Sequence, residues 1–180
     1  MNTLNTVRKG LYVTAITLAA GLFFVNVYNS MIDAPNWGHN LPSSIEATRA
    51  YYSVANPGNF FRIFAPLTQF ILLLGLILTW RIGGRTRLLA AAALLLAVGA
   101  DMLTFGFFYP RNEIMFVRPI TDVDAVRSAW AQWSNVNWLR SSLILVDLGF
   151  AFATLIALVR REEQVTATAT SRQELQPLVV

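Results

Sequence analysis

The chain contains no cysteine. That excludes disulfides, thiolate metal sites and thiol nucleophiles at once. It has a single histidine, His39, so a metal centre built on imidazoles is excluded as well. Charge is also scarce. Only 13% of residues are charged, against about 25% in a soluble domain. No glycine-rich phosphate loop, serine-triad signature or haem-attachment motif occurs. The net charge of +4 is no nucleic-acid footprint, because it gathers at the ends of apolar segments.

What the chain does have is apolar sequence. It is 55% hydrophobic, in four stretches at about 10–32, 63–80, 88–110 and 141–159. Runs of 18 or more such residues read as membrane-spanning helices. The fold class is therefore all-α: a bundle of four transmembrane helices in one domain, 1–161. The expected helices are 10–32, 63–80, 88–110 and 122–160, with a flexible cytoplasmic tail over 162–180. The first stretch is too long for a signal-peptide core of about 7–15 residues, and no A-x-A site follows it. It reads as a retained helix.

Basic residues set the orientation. Arg8-Lys9, Arg81/Arg85/Arg87 and Arg160-Arg161 lie on one side, while acids and bases mix in 33–62 and 111–140. The positive-inside rule then places both termini in the cytoplasm.

The two outer loops are long enough to hold structure. Ser43-x-x-Glu46 is a capping-box pattern that predicts a short helix, and Asn56-Pro57-Gly58-Asn59 is a turn that ends it. Thr121-x-x-Asp124 predicts a helix start well before the fourth stretch, so that helix extends beyond the bilayer. Trp37, Tyr51, Tyr52, Tyr109, Trp130, Trp133 and Trp138 crowd this side. They suit either an interfacial belt or an apolar lid over a pocket.

Each stretch carries one polar residue: Asn26, Gln69, Asp101 and Asp147. Helix rise puts them about 10–13 Å below the outer boundary, which predicts a shared polar layer. Thr104 lies one turn from Asp101 on the same face. Amides in such places often only join helices. Intramembrane acids mark functional sites by default, so Asp101 and Asp147 are the candidate catalytic groups, with Arg140 on the face of Asp147. Arg140 leans away from Asp147, leaving a gap for water, a side chain or a ligand.

Pro110-x-Asn112, followed by Trp133-x-x-x-Asn137-x-x-Arg140, resembles the anthrone-oxygenase-like family of small four-helix membrane proteins. The likeness covers chiefly residues 105–145. It implies an oxygenase-like enzyme acting on a hydrophobic phenolic or polycyclic substrate, with Asn112, Trp133, Asn137 and Arg140 lining the site. It implies no assigned cofactor, and none is identifiable from the residues. Asn26 and Gln69 join the substrate-binding candidates from the depth argument. The expected partners are the lipid bilayer, a hydrophobic small molecule and a second copy of the chain in a homo-oligomer, with no nucleic acid. The alternative is a non-enzymatic binding or accessory subunit. A carrier fits less well, because polar residues thin out toward the cytoplasmic side.

Overall fold

The computed structural model describes residues 3–175. Four helices are long and apolar enough to cross a membrane. We label them α1 (Thr3–Gly38), α3 (Pro57–Thr79), α4 (Gly84–Val117) and α5 (Val123–Leu175), with a short α2 (Ser43–Tyr51) between the first two. They run alternately up and down. Neighbours pack in the order α1, α3, α4, α5 and back to α1, closing a bundle. Thr3 and Leu175 therefore lie toward one end, the termini end. The 38–57 and 117–123 connections make the other, the loop end.

The surface supports a membrane setting. Phe24, Leu88, Leu95 and Phe152 are 67%, 69%, 70% and 54% exposed on the outer faces of the helices. Water would penalise so much bare apolar area, and lipid tails do not. The interior is made of small residues where the helices meet most closely. Ala15, Ala19, Ala90, Ala93, Ala100 and Ala151 are all buried, which lets backbones approach. At the termini end, Lys9 Nζ meets Glu162 Oε2 at 2.6 Å.

The helices outrun their expected limits. The expected stop at Pro110 is absent, because α4 passes through it. The cause is a wide turn just before the proline. Tyr109 N–H reaches back five residues to Thr104 O instead of four. An unbroken α-helix would press the Pro110 ring on the carbonyl four residues earlier, and the extra residue relieves this. The same arrangement recurs twice. Ala34 N–H bonds to Asn29 O just before Pro35, and Arg118 N–H to Glu113 O just before Pro119. All three wide turns lie toward the loop end.

Two cap expectations change. Ser43 does not cap α2; its hydroxyl donates to Asn40 O, so no capping box forms. Asp122, rather than Thr121, caps α5, with Oδ1 accepting from the N–H groups of Asp124 and Ala125. The flexible tail expected from 162 is helical through Leu175, since no Gly or Pro interrupts 162–175. Residues 176–180 of that tail lie outside the described residues.

Candidate functional site

The site grows from a junction between α1 and α5. Each helix carries the same short pattern, Asn26-x-x-x-Ser30 and Asn137-x-x-x-Ser141. The helices run in opposite directions, so the patterns face each other across a local two-fold. Asn26 Nδ2 donates to Asn137 O (3.2 Å) and Ser141 Oγ (2.6 Å). Asn137 Nδ2 donates to Asn26 O (3.1 Å) and Ser30 Oγ (2.7 Å). Side-chain bonds of this kind in a bilayer average about 0.6 kcal/mol each, so the four together hold the helices by roughly 2 kcal/mol.

Symmetry breaks at the two oxygens. Asn26 Oδ1 accepts from Arg140 Nη2 at 2.5 Å, whereas Asn137 Oδ1 is buried without a partner. Arg140 is only 6% exposed. Its Nη1 reaches Thr104 Oγ1 at 3.3 Å, and its guanidinium lies over the rings of Phe108 (4.3 Å) and Phe61 (5.0 Å). Among the described residues it makes no salt bridge. The Asp101 carboxylate shares its cavity without bonding to it. Asp101 is itself held by α3, with Oδ2 accepting from Gln69 Nε2 at 2.5 Å.

Asp101, Thr104 and Arg140 share the wall of a cavity of about 700 Å³. That is within the range of sites for drug-sized molecules. Its other walls mix aromatic rings, among them Trp37, Phe61, Phe105, Tyr109, Phe116 and Trp133, with polar residues such as Asn29, Gln69 and Asn112. Residues of all three wide turns reach it, through Asn29, Thr104, Phe105 and Glu113 among others. Wide turns of this type recur at functional sites in other proteins.

A cap covers the cavity at the loop end. Arg49 on α2 donates to Met115 O (2.7 Å) and Arg118 O (2.7 Å), strapping α2 to the end of α4. Trp130 Nε1 donates to Ala34 O at 2.6 Å. The Tyr52 pKa is pushed up to about 12, first by burial and then by the nearby Asp33 charge. The aromatic crowd divides: Trp37, Tyr52, Tyr109 and Trp133 line the cavity, while Tyr51 lies bare on the surface.

The sequence candidates are placed unequally. Gln69, Asp101, Asn112, Trp133 and Arg140 line the cavity. Asn26 and Asn137 lie behind the wall as supports, fully buried. Asp147 stands apart. It is buried, does not line the cavity, shares no hydrogen bond with Asp101, and leaves Oδ1 without a partner. His39 is also outside the lining, and no three acids or histidines cluster among the described residues.

Ser30, Ser141, Phe61 and Phe108 went unpredicted. The repeated Asn-x-x-x-Ser spacing was available in the sequence as a signal for the two serines. Nothing in the sequence marks which of many phenylalanines meets the guanidinium. No protein-family model matches the chain, and neither a curated protein nor a solved structure matches it.

Proposed function

We propose that this membrane protein is an oxygenase-like enzyme for an apolar, ring-bearing phenol held in the loop-end cavity. The observation that carries the reading is the spacing of Asp101 and Arg140. Both line the same cavity, and no salt bridge joins them. A substrate hydroxyl between them would donate to the carboxylate and accept from the guanidinium. Among the described residues Asp101 Oδ1 makes no hydrogen bond and is open to that proton, since Gln69 occupies only Oδ2.

The chemistry follows from those roles. Asp101 takes the proton of the phenol or enol, and Arg140 stabilises the oxyanion that develops. An immobile cation suits this, because it need not reorganise as charge appears. The Asn26 amide and the two rings hold Arg140 in place. Trp133 and Trp37 offer aromatic surface for the substrate ring. With an anthrone, the electron-rich ring carbon is oxidised by dioxygen. A CH2 group and O2 become a carbonyl and one water, with the oxygen reduced. The likeness of Pro110-x-Asn112 and Trp133-x-x-x-Asn137-x-x-Arg140 to anthrone-oxygenase-like proteins points to the same substrate class. Both termini are assigned to the cytoplasm by the arginine clusters.

The test is oxygen uptake by the protein in lipid nanodiscs with a hydroxylated anthrone. Uptake above the uncatalysed rate, falling about 10²-fold or more in Asp101→Asn, supports the enzyme. Tight binding of the ring compound without uptake supports instead a binding or accessory subunit.

A further inference from the structure

Arg49 straps α2 across the loop end of the cavity, and exposed lining residues run from there down its side. α3 packs against α4 within Gly84–Leu103, and no comparable packing joins it to Thr104–Val117. There the two helices part. Pro57, Gly58, Arg62, Pro66 and Gln69 line the cavity from α3, and Asp101, Phe105, Tyr109 and Glu113 from α4. These spacings are one helix face each, so the parted faces form the two jambs of a slot. Arg62, Pro66, Phe105 and Tyr109 are at once cavity lining and exposed surface.

What lies outside the slot is apolar. Ile63, Leu67 and Phe70 on α3 are 62%, 41% and 55% exposed, and Met102 and Phe105 on α4 are 58% and 57% exposed. Pro66 is about 20 Å along α3 from Thr79, inside a hydrocarbon layer about 30 Å thick. The lower part of the slot therefore opens among lipid tails. Its upper part, by Asn56 and Glu113, reaches the interface, where Arg62 makes no ion pair or hydrogen bond among the described residues.

We infer that the slot between α3 and α4 is a side door: the ligand is a bilayer-dissolved aromatic molecule that enters from the lipid, past Pro66 and Phe105. A molecule entering this way brings its apolar body from lipid to an aromatic wall, with little exposure to water. Its polar oxygen meets Asp101 and Arg140 at the inner side. Phe105 is then an access-determining residue rather than a catalytic one. The inference rests on the proposed ligand site but not on turnover.

The chain lacks cysteine, so single substitutions carry single labels. Nitroxides at Pro66→Cys and Phe105→Cys are compared in phosphatidylcholine vesicles with Leu95→Cys on a lipid-facing surface and Ser53→Cys in an exposed loop. The door predicts collision with oxygen exceeding that with a water-soluble nickel chelate at both rim sites, as at Leu95. If Pro66→Cys fails to fold, Phe105→Cys alone decides. A nickel preference at the rim overturns the inference, whatever the ligand does. In a second arm, 2-hydroxyanthraquinone in the vesicles quenches tryptophan as it binds. Phe105→Trp should slow association roughly fivefold or more relative to Phe105→Ala, as a bulkier side chain at the entrance narrows it. Equal rates overturn the side door and leave the ligand site standing. No quenching in any variant removes the ligand site, and the door with it.

Discussion

Asn26 and Asn137 bind each other's backbone: each side-chain amide donates to the other's main-chain carbonyl, at 3.2 and 3.1 Å. The exchange fixes both the rotation and the height of α1 against α5. It also leaves Asn26 Oδ1 free to take Arg140. A purely structural clasp thus sets the position of the one buried guanidinium in the cavity wall.

The clasp predicts unequal costs for similar truncations. Asn137→Ala should lose roughly 1–2 kcal/mol through two missing donors. Asn26→Ala should lose more, about 3–5 kcal/mol, because a buried cation is left with one fewer acceptor. Ser30→Ala should lose under about 1 kcal/mol. Thermal unfolding in detergent, followed by circular dichroism, gives the order. Equal losses for the two asparagines would show that Arg140 does not depend on Asn26.

The cap makes a steric prediction. A methyl group at Gly38 would overlap the indole of Trp130, whose Nε1 is already bonded to Ala34 O. Gly38→Ala should cost about 1–3 kcal/mol, the usual range for overpacking. Protease digestion should then cut between α2 and α3 faster than in the parent chain. Unchanged digestion would mean the cap is not held by that contact.

Tyr52 makes a prediction in alkali. Its pKa rises from 10 to about 12, so the folded chain keeps the proton where the unfolded chain has lost it. The unfolded state binds fewer protons between pH 10 and 12, so stability falls with rising pH in that window. The contribution is complete below pH 10 and gone above about pH 12. Absorbance at 295 nm should show a tyrosine titrating near pH 12 that vanishes in Tyr52→Phe. A titration identical in parent and variant would show that Tyr52 is neither buried nor beside the Asp33 charge as the fold places it.

Asp147 tests the boundary of the site. It is buried with an unpartnered oxygen and lies outside the cavity lining. Asp147→Leu should unfold at the same or a higher temperature, since it removes an unmet polar group worth about 1–3 kcal/mol. Ligand affinity should stay within about twofold. A large loss of affinity would return Asp147 to the site.

The sequence carried the architecture because the bilayer imposes it. Four long apolar runs with basic ends have few other solutions. The level of the polar residues was readable only in part: Gln69 does meet Asp101, but Asn26 meets Asn137, Arg140 and Ser141 rather than the level of Asp147 that its depth implied, because α1 runs on past Asp33. Rotation was not readable. Depth alone cannot tell that Asp101 faces the cavity while Asp147 does not. Helix ends at prolines misled for a local reason, since Pro110 is accommodated by the wide turn that precedes it. Asn112 and Trp133, implied by a family likeness, do line the cavity, whereas Asn137 serves as a support behind it.

The central claim is that Asp101 and Arg140 together hold one hydroxyl of an apolar ring compound. The most direct measurement is equilibrium tryptophan quenching by 2-hydroxyanthraquinone and by unsubstituted anthraquinone, in the parent chain, Asp101→Asn and Arg140→Met. The account predicts that the parent prefers the hydroxylated ring by roughly tenfold or more, as a charged hydrogen bond allows. Both variants should bind the two rings alike, with anthraquinone affinity unchanged. Equal affinity for both rings in the parent, or a preference that survives both substitutions, would contradict it.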